Sequence, residues 1–152
     1  MKLSARARYA VSILLELSHN GKEGPVTASA LSKQTGISSP FIEQILRPLR
    51  QAGITSSVRG VMGGHILAQA PQEISIGDII RIMEGGVQLS ACKAVGPDAC
   101  GRFNKCPTRD AWNNLSKTFE REMDRVSLGD LLENGTGKEL CPLEHESEPA
   151  TV

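Results

Sequence analysis

The stretch TASALSKQTGISSPFIEQILRPLRQAG, residues 27–53, constrains the fold most, because it writes two short helices separated by one turn. Thr27 is a natural N-cap for the first helix, and Gly36 is the turn residue that follows it. Ser39 is expected to cap the second, with Pro40 at its first position, where a missing N–H costs nothing. Helix, glycine-containing turn, helix is the helix-turn-helix plan. The second helix sorts its faces cleanly. Ile42, Ile45, Leu46 and Leu49 point inward, and Glu43, Gln44, Arg47 and Arg50 stay outside, side chains of the kind that meet base edges and phosphates. Ser38 and Ser39 at the start of this helix join the candidate DNA contacts. Pro48 conflicts with the pattern by removing the backbone bond to the Gln44 carbonyl, and it predicts a kink or an early helix end.

The flanks extend the plan. Upstream, Ser4 can cap a helix with Ala7, Ala10, Val11, Leu14 and Leu15 on one face, ended by His19-Asn20-Gly21. Ser12 and Glu16 interrupt its apolar stretch and no small-residue cleavage site follows, so it reads as a mature amphipathic helix rather than a leader. Downstream, residues 54–58 and 65–67 predict two short strands around RGVMGG, a wing. Arg59, with Gly60 beside it, sits where a wing meets a phosphate or a minor groove; the plain alternative is a solvated loop charge. His65 reads as an ordinary strand residue. Charge agrees with this reading. Residues 1–64 hold eight Lys/Arg against three acids, and residues 65–152 hold nine against fourteen, so a formally neutral chain divides into a +5 half and a −5 half. An anionic partner for the first half follows.

ISIGDIIRIMEGG predicts a further helix with Ile76, Ile79, Ile80 and Met83 inward, stopped by Gly85-Gly86. From about Thr108, a possible cap, a longer helix carries Trp112, Leu115, Phe119, Met123 and Val126 three or four residues apart between charged positions. Such a stripe needs a cover, either the rest of the chain or a second copy. A second copy is the better fit, because a two-fold dimer matches palindromic half-sites. SLGDLL closes the fold, and an acidic tail follows. The organisation is therefore a winged helix-turn-helix at 1–84, a cysteine loop at 85–107, a dimerisation helix with a short closing helix at 108–134, and a disordered tail at 135–152. The fold class is mainly α with a small β-hairpin.

Cys92, Cys100 and Cys106 are spaced C-x7-C-x5-C in a glycine- and proline-rich stretch. Zinc sites usually show a closer pair, and a disulfide needs an even partner and an oxidising compartment. Lys93, Arg102, Lys105 and Arg109 nearby favour thiolates. The residues alone give a metal or redox site of unspecified metal. No ATP loop, no Ser/His/Asp arrangement and no paired carboxylates occur, and histidines at 19, 65 and 145 are too scattered for a catalytic base. An enzyme is not expected. No apolar run is long enough for a bilayer, so no membrane partner is expected and the location reads as cytoplasmic.

KLSARARYAVSILLEL, SSPFIEQILRPLRQAGI, SSVRGVMGGHIL, SIGDIIRIMEG, the three cysteines with CPTRDAW, and SLGDLL together resemble the Rrf-two family of bacterial transcription regulators, with its IscR-, NsrR- and RirA-type branches. The resemblance runs from Met1 to about Asn134. It implies a homodimer binding pseudo-palindromic operator DNA, with one [2Fe-2S] or [4Fe-4S] iron–sulfur cluster per subunit whose state alters operator choice. Carried over by position, Cys92, Cys100 and Cys106 look like the thiolate ligands, and Glu43 and Arg59 like DNA contacts. Two departures stand out. Arg109 occupies the place of the histidine ligand of IscR-like members, and Arg8 that of the acidic ligand of NsrR-like members. The fourth ligand is open, with Cys141 (followed by His145) and Asp110 as candidates. The competing readings are a cluster-free thiol-redox or zinc regulator of the same fold, and an iron–sulfur electron-transfer or cluster-delivery protein.

Overall fold

The computed structural model describes residues 3–21, 23–90 and 100–134. Cys92, Cys141 and the expected tail lie outside these residues. Helix α1 (Ala5–Asn20) begins at Ser4, whose Oγ accepts from the Ala7 amide at 3.2 Å. In helix α2 (Ala28–Thr35) Thr27 Oγ1 accepts from the Ala30 amide at 3.1 Å, and Gly36 ends the helix. Helix α3 (Ser39–Gln51) starts one residue earlier than expected, at Ser39 itself: Ser38 is the N-cap, and its hydroxyl makes no capping bond. Ser39 Oγ instead donates to the Ala28 carbonyl at 3.4 Å and ties the two helices of the turn together.

Of the kink or early end expected at Pro48, the early end does not occur, and α3 runs on to Gln51. An interior proline costs about 3 kcal/mol. Ile42, Ile45, Leu46 and Leu49 are all wholly buried, and each contributes about 1.5–3 kcal/mol. Gln44, whose carbonyl loses its donor, lies on the exposed face. Burial outweighs the lost bond.

Strands β1 (Thr55–Val58) and β2 (Gly64–Leu67) pair antiparallel, from Thr55 opposite Leu67 to Val58 opposite Gly64. The far edge of β2 is fastened too: Val26 and His65 exchange backbone bonds of 2.9 and 2.8 Å. A Cβ on Gly64 would lie 2.6 Å from the Val26 carbonyl group, so only glycine lets the wing root approach this closely. Gly64→Ala is expected to destabilise the fold by about 1–3 kcal/mol, read as a lowered urea midpoint at unchanged slope.

Helix α4 (Ile76–Glu84), helix α5 (Arg109–Asp124) and helix α6 (Leu128–Asn134) complete the chain. α4 and α6 open with the same motif, SIGD and SLGD. Ser75 Oγ accepts from the Asp78 amide at 3.0 Å, and Asp78 Oδ2 accepts from the Ser75 amide and hydroxyl at 3.2 and 2.6 Å. Ser127 and Asp130 repeat the exchange at 3.1, 2.8 and 2.7 Å. These are capping boxes. The two starts stand back to back, the Ile76 amide donating to Val126 and the Leu128 amide to Ile74. Ser127 hydrogen bonds hold the Asp130 carboxyl below its usual value. Burial pushes Asp78 upward, but bonds from Ser75 and Arg81 outweigh it and the net shift is downward. Both carboxylates thus stabilise the folded state above the ordinary carboxylate range, and this contribution is lost as pH falls through their lowered values.

The core is aliphatic, as the scarcity of aromatic residues implies, and it joins α1, α3, α4 and α6 through residues such as Leu14, Leu46, Ile79 and Leu128. Tyr9 meets Phe41 edge-on at 5.8 Å. The buried face of α1 is Ala7, Ala10, Ile13, Leu14 and Leu17, whereas Val11 and Leu15 are half-buried. This corrects the expected face. α1 is packed by α2, α3, α4, α6 and β2, and its buried stripe, still at helical spacing, is rotated toward Ile13 and Leu17.

Candidate nucleic-acid interface and cysteine site

The outer face of α3 presents Glu43, Gln44, Arg47 and Arg50 to solvent, as the periodicity requires. The exposed Ser38, with its uncommitted hydroxyl, marks the N-terminus of the same helix, where backbone N–H groups favour an anion. Half-buried Ser39 is engaged with α2. Arg59 and Gly60 are exposed where the chain leaves β1, and Gly60 adopts φ +120°, a conformation side chains rarely tolerate. Val61 and Met62 project almost fully at the tip of the wing. Their apolar character was visible in RGVMGG, but nothing in the sequence attached a role to it.

Glu43 is not a free contact. Its Oε1 lies 3.0 Å from His65 Nε2, which joins the outer face of α3 to the wing strand β2. A residue read as an ordinary strand position is therefore buried and paired with a candidate DNA-reading carboxylate. The two are 22 residues apart, and no spacing rule anticipates the pairing.

The cysteine site is partly in view. Cys100 and Cys106 are free and half-buried, on either side of a 3-10 turn at Phe103–Lys105. Cys92 and Cys141 lie outside the described residues, among which no three His, Cys, Asp or Glu side chains gather as a metal site. Thr108 precedes α5 as expected but makes no side-chain cap; its hydroxyl meets the Cys106 sulfur at 3.3 Å instead. That bond, then the Thr108 and Arg109 amides and the Arg109 charge, hold the Cys106 thiol below its usual value. A thiolate is the ligating and the reactive form of cysteine. The donor set therefore suits a soft metal or an iron–sulfur cluster. Asp110, the carboxylate candidate for a fourth ligand, is bonded to Arg109 Nε at 3.3 Å, which competes with ligation.

α5 lies with its polar side inward. Ser116 is its buried residue. Ser116 Oγ accepts from the Leu89 amide at 3.3 Å, and Glu120 Oε1 accepts from the Val87 amide at 3.1 Å. Arg81 of α4 bridges Asp78 and Asp124 at 2.8 and 2.7 Å. The apolar stripe is left outside: Trp112 is 42 % exposed, Leu115 and Phe119 46 %, and Val126 37 %, with Met123 half-buried at its margin. Packing among the described residues does not cover it. None of the described helices is long and apolar enough to cross a membrane.

Comparison with known proteins follows the same lines. Residues 3–134 match the model of the Rrf2 family, described as "Iron-dependent Transcriptional regulator". The HTH-type transcriptional regulator IscR of Aliivibrio salmonicida is 36 % identical over 132 residues, 87 % of this chain and 77 % of that protein. The solved structure of T. potens IscR is similar at a TM-score of 0.71 and 33 % identity, covering 89 % of this chain and 88 % of that one. CymR, the global cysteine regulator of B. subtilis, is similar at 0.70 and 30 % identity, covering 88 % and 98 %.

Proposed function

The chain belongs to the Rrf2 family and is a DNA-binding transcription regulator, not an enzyme; from that premise we propose that it acts as a cytoplasmic homodimer on a pseudo-palindromic operator and tunes operator choice through an iron–sulfur cluster. The single observation that carries the sensing half is the Cys106 thiol, held toward its ionised form by Thr108 and Arg109 at the entrance to α5. Cys92, Cys100 and Cys106 would hold the cluster. When bound, it supplies a group whose presence and charge follow iron supply and redox state.

This chain's own residues do the rest. Gln44, Arg47 and Arg50 enter the major groove with α3, and Ser38 meets a phosphate at the helix start. Arg59 and the backbone at Gly60 follow the neighbouring groove. The stripe from Trp112 to Val126 packs on its copy and sets the spacing of the two α3 helices. Cys106 lies three residues before that helix, so ordering of the cysteine loop biases one arrangement of the pair over another.

The DNA-reading half is tested by anisotropy on a duplex selected by the protein from a randomised pool. Arg59→Ala is expected to weaken binding to all sequences alike and to lower the slope of log affinity against log salt by about one. An unchanged slope removes Arg59 from the phosphate-contact set. A second reading, a cluster-free thiol regulator, is supported by the same activated Cys106 and by the likeness to CymR, described as a cysteine regulator and not as an iron-dependent one. Iron and acid-labile sulfide in protein purified without oxygen separate the two.

A further inference from the structure

We propose that His65 is a positioning residue for sequence selectivity: from the root of the wing, its imidazole holds one carboxylate oxygen of Glu43 and so fixes how α3 presents the other to the bases. The inference deepens the reading of α3 as the groove-reading helix and rests on it.

The imidazole is the fixed partner. His65 is 7 % exposed. Its backbone is paired on one side with Ser57 of β1 and on the other with Val26. Glu43 is the movable one, with 52 % of its side chain exposed. The contact is 3.0 Å from Nε2 to Oε1. A carboxylate only accepts, so Nε2 bears the proton and donates it into the bond.

On a surface that meets DNA, such a carboxylate has two opposite effects. Facing the floor of the major groove, it accepts from the amino group of cytosine or adenine and discriminates in their favour. Swung to the wall of the groove, it repels a phosphate and weakens every sequence equally. One side-chain rotation separates these outcomes, and His65 selects between them. The wing itself is held by the backbone bonds between Val26 and His65, so the loss of the imidazole frees the aim of Glu43 while Arg59 keeps its place.

The probes are the duplex selected by the native protein from a randomised pool and all single base-pair changes of it. His65→Phe is expected to keep the salt dependence of binding while reducing discrimination at the base pair facing Glu43 by about tenfold. His65→Gln, whose amide N–H can reach the same oxygen, should restore most of that discrimination. In a Glu43→Ala background, His65→Phe should change discrimination no further. Glu43→Gln provides an independent arm. With His65 holding the amide oxygen, the amide nitrogen takes the free place, and preference at that base pair should turn from amino-bearing to keto-bearing bases. This arm decides the matter if His65→Phe fails to fold. A uniform loss of affinity in His65→Phe, no rescue by His65→Gln, or an unchanged preference in Glu43→Gln overturns the inference and leaves the DNA-reading role standing. A native protein that selects no sequence overturns both.

Discussion

Purified without oxygen, Cys106→Ala is expected to lose essentially all of its iron and acid-labile sulfide while keeping the native fold. The expectation of a large effect comes from the Cys106 environment. The Thr108 hydroxyl, its amide, and the amide and charge of Arg109 all act on this sulfur, and together they depress its pKa. Even outer partners of metal ligands typically change affinity by about 10–100-fold, and removing the ligand itself should exceed that range. The fold should hardly notice. Cys106 is half-exposed outside the core, where substitutions stay within about 0.5 kcal/mol. Metal and sulfide analysis, with the visible absorption and an unfolding curve on the same sample, makes the measurement. Normal iron and sulfide in the variant would remove Cys106 from the ligand set, and loss of both cluster and fold would make it a structural residue.

Phe119→Asp is expected to raise the dimer dissociation constant by at least about a thousandfold, roughly 4 kcal/mol. Phe119 lies mid-stripe and 46 % exposed, while α5 is fastened to the domain by Ser116, Glu120 and Asp124 on its other side. Within one chain the substitution therefore removes little, and the monomer should unfold much as the native protein does. Across a two-fold axis it acts twice. Each copy loses the burial of an aromatic ring, about 1.5–3 kcal/mol, and gains an unpaired carboxylate in an apolar contact at a further cost. Sedimentation at micromolar concentration should show monomer, and binding to the full operator should fall to that of a half-site. A variant that still sediments as a dimer would place the interface elsewhere.

The fold was largely legible because its signals are local. Ser4 and Thr27 cap the helices they precede, and the four apolar residues of α3 are the ones buried. Local rules failed where distant residues decide. The start of α3 shifted because Ser39 is used by α2, and Pro48 was overruled by packing beneath it. In α1 the buried stripe of Ala10, Ile13, Leu14 and Leu17 keeps helical spacing, but so does the face through Val11 and Leu15, and only the packing around α1 decides between them. The candidate site divides in the same way. The exposed arginines follow from helical spacing, and the contact of Thr108 with Cys106 is local, two residues apart, but the grip of His65 on Glu43 depends on how the chain returns on itself. In α5 the apolar stripe marks what must be covered, yet the inward face is the polar one, and hydrophobicity carries no sign of it.

The bonds from Val87 and Leu89 to Glu120 and Ser116 have one more consequence. They anchor the entry of the cysteine segment to the middle of α5, and its exit at Thr108 runs directly into the beginning of that same helix. Both moorings belong to one helix, so the distance the segment must close is set by α5. The entropic toll of a longer span is slight, about 0.6 kcal/mol for each doubling. A change in the length of this span therefore alters the thiol spacing while its two ends stay moored on α5.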